Sequence, residues 1–131
     1  MSPAAIEGAI AAGSPLIAQV VAVGDRRPYN VALIALDPHT AAAFAARHGT
    51  TSPGPAVLAG HPAVRAAITA TVEQGNARLS RVEQIKRYAI IPAFWEPGGE
   101  EVTPTMKVKR HAITAKYTSL IDSLYAADQP A

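Results

Sequence analysis

Apolar positions fall into two rhythms along the chain. In LIAQVVAV, residues 16–23, and NVALIAL, residues 30–36, they run almost without interruption, as in buried strands. The segment between them, GDRRPYN, is rich in turn formers, so the two runs predict a hairpin. A third strand is expected in KRYAIIPAF, residues 86–94, closed by Pro92. Elsewhere the spacing is helical. Ser2-Pro3 offers a capping hydroxyl followed by a proline at the first helical position, and Ile6 and Ile10 share a face before Gly13-Ser14-Pro15. Asp37-Pro38 repeats that start for a helix ending at Gly49. From Pro62 the positions Val64, Ile68 and Val72, then Leu79 and Val82, predict one long helix with a weak point at Gly75-Asn76. A last helix starts near Arg110 and carries Ile113, Tyr117, Leu120, Ile121 and Leu124 on one face. TTSPGPAVLAG, residues 50–60, reads as a loop, and WEPGGEEVT, residues 95–103, as a turn-rich connection. The expected fold is α+β: a small sheet, hairpin plus third strand, flanked by helices.

Composition narrows the class. The 131 residues fit one domain, 49% hydrophobic and 17% charged, a globular balance. The longest apolar runs are far too short for a transmembrane segment. The N-terminal stretch lacks a basic leader and carries Glu7 within its apolar part, so no secretory signal is expected. The absence of cysteine removes disulfides and thiolate chemistry and agrees with a cytoplasmic location. Residues 78–131 hold eight Lys and Arg against six Asp and Glu, whereas residues 1–77 hold four of each. Aromatic residues are only 5%, too few to interleave a nucleic-acid-binding stripe, so no nucleic-acid partner is expected. A basic patch for a phosphate-bearing small molecule fits better.

The chemistry inventory is short. Neither a GxxxxGKS/T phosphate loop nor a GxGxxG fingerprint occurs. His39, His48, His61 and His111 show no metal-ligand spacing and read as helix-end or surface residues, so no metal site is expected. Glu100-Glu101, adjacent in a Gly-rich turn, reads as a solvated loop. The chain contains no complete active site by itself. What stands out is TPTMKVKR, residues 103–110, where Lys107, Lys109 and Arg110 crowd behind a rigid Thr-Pro-Thr turn. A lysine on a shaped loop can clamp phosphate or carboxylate charge. On the residues alone the simpler reading prevails, and these three cations form a solvated helix start.

The stretch NARLSRVEQIKRYAIIPAFWEPGGEEVTPTMKVKRHAITAKYTSLIDSLY, residues 76–125, resembles the C-terminal end of long-chain fatty acid-CoA ligases of the adenylate-forming, AMP-binding superfamily. It has the EQIKR-aromatic segment, then G-E-hydrophobic-T-P-T-x-K-x-K-R, then a helix ending in Leu-Tyr. SPAAIEGAI near the start is similar to the segment after the family's hinge. The resemblance implies that residues 1–131 form the mobile C-terminal lid domain of a longer enzyme. Its N-terminal domain would bind ATP and the fatty acid, and is the expected partner. The substrates and cofactors implied are ATP, Mg, fatty acid and CoA, none expected to be held by this domain alone. Location would be cytoplasmic, with membrane association of the full-length enzyme as a variant. The resemblance makes Lys107 the adenylation lysine, withdrawn when the domain rotates for thioester formation. Lys109 and Arg110 would anchor the loop or pair across the domain interface. Arg26, with Arg27 beside it, and Lys86 and Arg87 become candidates for CoA phosphates or the large domain. The alternative is a free-standing regulatory or binding module that pairs with a separate AMP-binding chain.

Overall fold

Strand β2 (Asn30–Leu36) forms the middle of a three-stranded sheet with the order β1-β2-β3. From Val31 to Leu36 every side chain is buried, because both faces of this strand are covered. That is why its sequence shows no polar alternation. Strand β1 (Ile17–Val23) pairs with it antiparallel, with Val20 opposite Ile34 and Ala22 opposite Ala32. Strand β3 (Ile85–Ile90) pairs with its other edge in parallel, with Ala32 opposite Tyr88. A parallel neighbour requires a long crossover. Helices α2 (Pro38–Arg47), α3 (Pro55–Gly60) and α4 (Pro62–Asn76) provide it. The computed structural model describes residues 3–51 and 54–126.

The sheet separates two cores. Val20, Ala22, Ile34 and Leu36 face Ile6 and Ile10 of helix α1 (Pro3–Ala11) and the buried sides of α2, α3 and α4. Val21, Val31, Leu33 and Ala35 face Trp95 and Val102, together with helices α5 (Arg110–Lys116) and α6 (Thr118–Ala126). Trp95 is a packing residue whose indole N–H donates to the Tyr117 hydroxyl at 3.1 Å. Among the described residues, no helix is long and apolar enough to cross a membrane.

The strands, the hairpin and the three-layer build agree with the pattern of apolar positions, but several boundaries do not. The segment 50–60 is not all loop: Pro55–Gly60 is helical, starting on a proline and burying Leu58. Ser52 and Pro53 of that segment, like the expected capping Ser2, lie outside the described residues. The long helix stops at Asn76, whose side chain bonds both backbone groups of Ile85, at 2.8 and 2.9 Å. Past that point Leu79 still reaches the core, while Val82 is 85% exposed in a 3₁₀ turn, Arg81–Glu83. The final helix is two helices broken at Tyr117. The Thr114 and Thr118 hydroxyls bond back to carbonyls in the turns before them, a pattern that bends helices.

Candidate functional site: a clamped loop ending on Lys107

Buried Val102 anchors the loop that precedes α5, through bridges to Pro97 on one side and Val108 on the other. Beyond it the chain closes on itself within five residues. The Thr103 amide donates to the Lys107 carbonyl at 2.8 Å, and the Met106 amide donates to the Thr103 carbonyl at 2.9 Å. The Lys107 amide donates to the Thr103 hydroxyl at 3.0 Å. Pro104 restricts the turn further, and Met106 completes it with a left-handed backbone, φ 67°. The Lys109 amide then donates to the Glu101 carbonyl at 2.8 Å, tying the loop's exit to its entry.

The cations here differ in what holds them. The Lys109 ammonium donates to the Gly99 carbonyl at 2.9 Å, inside its own loop. Arg110 forks onto Glu7 of α1 at 2.6 and 3.0 Å, and these bonds raise its pKa above the ordinary value. Lys116, the last residue of α5, bridges Glu101 at 2.5 Å and Glu100 at 2.9 Å, and both carboxylates raise its pKa, Glu101 most. Only half of the glutamate pair is solvated: Glu100 is exposed, whereas Glu101 is buried, because Lys116 gives its charge a partner. Lys107 stands apart. It is exposed where the loop closes, and among the described residues its ammonium has no hydrogen bond or ion pair.

The other candidates lie elsewhere. Arg26 sits exposed in the hairpin turn with φ 60°. Beside it Arg27 pairs with Asp122 at 2.9 Å and lies over the Tyr125 ring at 4.6 Å. Lys86, at the start of β3, lies 5.0 Å over the Tyr29 ring, which in turn packs on Tyr125. Arg87 follows in β3 opposite Val31. The structure thus sorts the candidates into two groups: Lys107, Lys109 and Arg110 on the loop and the start of α5, and Arg26, Lys86 and Arg87 around the hairpin end and β3. A cavity of about 310 Å³ between the hairpin turn and α5–α6 includes Arg27, Arg110 and Thr118 in its wall, but not Lys107.

Glu7, bonded to Arg110, Gln19, whose amide donates to the Met106 carbonyl, and Lys116, paired with Glu101, hold the loop and the start of α5, and none lies in the TPTMKVKR motif. Glu7 and Arg110 are 103 residues apart, so no local pattern links them. Among the histidines, His61 caps α4 by accepting the Ala63 amide at 3.1 Å. No group of three His, Asp or Glu among the described residues could hold a metal ion.

The sequence pattern of the AMP-binding enzyme C-terminal domain matches residues 1–129. A Mycobacterium tuberculosis protein named as fatty-acid-CoA ligase FadD11 is 51% identical over 128 residues, 98% of this chain and 22% of that protein. The long-chain-fatty-acid-CoA ligase FadD15 of the same organism is 39% identical over 127 residues, 95% of this chain and 21% of the relative. The chain therefore spans about a fifth of the length of these relatives. Among solved structures, the A domain of carboxylic acid reductase from Segniliparus rugosus covers 97% of the chain with a TM-score of 0.71. That match uses 18% of the reductase chain at 20% identity and is a likeness of fold.

Proposed function

This chain belongs to the AMP-binding enzyme C-terminal domain family, and from that premise we propose that it is the mobile domain of a long-chain fatty acid-CoA ligase, with Lys107 as its adenylation lysine. The reaction has two halves. A fatty acid carboxylate attacks the α-phosphate of ATP, giving acyl-adenylate and pyrophosphate. The CoA thiol then displaces AMP to give the thioester. The N-terminal domain would bind ATP and the acyl chain, and this domain would close over it. On closure the Lys107 ammonium contacts the carboxylate and the α-phosphate region, offsetting the negative charge that gathers there. Rotation afterwards withdraws it and presents another face for CoA. Domain closure is then part of the catalytic cycle.

One observation carries this reading: among the described residues, Lys107 alone of the loop's cations has no partner for its ammonium, and its backbone is closely held. An unpaired charge on a fixed loop loses little when it meets an anion, whereas Lys109 and Arg110 would first have to leave their partners. Those two residues act by holding the loop. Arg26, Lys86 and Arg87 are proposed contacts for CoA phosphates or the large domain. Magnesium accompanying ATP would be held with it by the N-terminal domain, and no step assigned to this domain runs through it.

The test is single-turnover kinetics in the two-domain enzyme. Lys107→Ala is expected to slow acyl-adenylate formation roughly 100- to 1,000-fold, the range for loss of one preorganised charge contact. Thioester formation from supplied acyl-adenylate should be largely spared. Unaltered adenylation, or equal slowing of both halves, would remove Lys107 from this role.

A further inference from the structure

Strand β1 shifts register between Ile17 and Gln19 as it pairs with β2. Beyond the shift the alternation is regular: Val20 and Ala22 face the α1–α4 core and Val21 the α5–α6 core. Strict alternation would send Ile17 to the α5–α6 side, yet it packs in the α1–α4 core. The irregularity seats Ile17 there while Gln19 keeps to the side of the Lys107 loop. Register shifts of this kind re-aim side chains. Here it re-aims Ile17, while Gln19 keeps its regular place and its amide Nε2 donates to the Met106 carbonyl at 3.0 Å, 87 residues further on.

That bond closes a second hold on one peptide unit. The group between Met106 and Lys107 presents its carbonyl to Gln19 and its N–H to the Thr103 hydroxyl at 3.0 Å. The residue just before Lys107 is left-handed, φ 67°, a conformation that a methionine adopts only under constraint. With both polar ends of that peptide held, its plane is fixed, and so is the direction in which the lysine leaves the backbone. We propose that Gln19 is a positioning residue for Lys107, orienting the lysine from the edge of the sheet without touching substrate. This rests on the reading of Lys107 as the adenylation lysine.

The experiment uses the full-length two-domain protein carrying Gln19→Leu or Gln19→Glu, the second keeping the shape but placing an acceptor against the carbonyl. One exposed hydrogen bond corresponds to roughly a three- to tenfold effect. Acyl-adenylate formation at saturating substrate should slow by that factor in both variants, with thioester formation from supplied acyl-adenylate unchanged. Hydrogen exchange across residues 103–110 should quicken by a similar factor, and exchange in β2 should not. In a Lys107→Ala background the Gln19 substitutions should slow adenylation no further, because they act through that lysine. Unchanged loop exchange in both variants overturns the proposal, as does an undiminished Gln19 effect in the Lys107→Ala background. Normal adenylation by Lys107→Ala alone overturns the underlying reading, and it is seen in its own arm, apart from the exchange result.

Discussion

Arg110 and Glu7 meet side by side across the edge of the sheet, Nη1 to Oε2 at 2.6 Å and Nη2 to Oε1 at 3.0 Å. The same Glu7 carboxylate accepts the Ala22 amide at 2.8 Å, on the open side of edge strand β1. One carboxylate thus joins α1, β1 and α5 and occupies a strand amide that would otherwise be an unpaired donor on the sheet edge.

Removing Glu7 should be costly. Its side chain is 12% exposed, and Glu7→Ala leaves both a guanidinium and a strand amide without their acceptor. Hydrogen bonds to charged groups contribute about 1.5–3 kcal/mol each, less where water can replace them, and the Arg110 side chain is 37% exposed. A loss of about 2 kcal/mol is expected from urea unfolding, in line with one such bond. Glu7→Gln, which keeps an acceptor for Ala22, should lose less. Equal stability of wild type and Glu7→Ala would refute the clamp.

Charge type and position can be separated on the loop itself. Lys107→Arg should not fully restore adenylation in the two-domain enzyme, because a planar fork cannot replace a compact ammonium. Lys109→Ala removes only a bond to the Gly99 carbonyl at the surface, and should slow adenylation by about fivefold or less. A Lys109 effect as large as that of Lys107 would mean that the loop's shape, not one ammonium, is what matters.

Two glycines in helices should respond with opposite sign to alanine. Gly8 in α1 has open space where a Cβ would go, so Gly8→Ala should stabilise by roughly 0.5–1 kcal/mol through helix propensity. At Gly75 in α4 the added Cβ would lie 2.5 Å from Ile10 Cδ1 and 3.2 Å from the Ala9 carbonyl. Overpacking typically costs about 1–3 kcal/mol, which outweighs the propensity gain. Thermal unfolding should therefore rank Gly8→Ala above wild type and Gly75→Ala below it.

Helix α2 gives a pH-dependent term. Asp37 caps it by accepting the Thr40 amide at 2.9 Å, and that bond above all holds the carboxyl below its ordinary pKa. A depressed folded-state value adds stability above the unfolded value, about 3.9. That contribution is lost as pH falls through the folded-state value. Asp37→Ala should cost about 1 kcal/mol near pH 7. The gap from wild type should shrink as the pH drops below about 4. A gap that stays constant down to pH 2 would show that the carboxylate's charge is not what caps the helix.

The sequence by itself determined what depends on near neighbours. Uninterrupted apolar runs give strands covered on both faces, as in Val31–Leu36, because neighbouring residues of a strand point to opposite faces. The cap-plus-proline start at Asp37-Pro38 is complete within four residues. The TPTMKVKR motif drew attention to Lys107 for the same reason: turn, lysine and helix start are contiguous. Even locally, competing interactions misled. Gly75-Asn76 looked like a weak point in one long helix, but the glycine is there because α1 passes against it, and the asparagine ends the helix by binding Ile85.

Only the tertiary structure decided which cations are already occupied. Lys107, Lys109 and Arg110 are equivalent as letters, and what distinguishes them lies at other positions: Gly99 for Lys109, Glu7 for Arg110, and nothing among the described residues for Lys107. The hold on the Met106–Lys107 peptide likewise depends on Gln19, in a strand 87 residues away. Pairing of this kind follows from how the sheet edge, α1 and the loop are stacked. Short-range pattern cannot encode it, because each partner is individually an ordinary polar residue and only packing brings the pair within bonding distance.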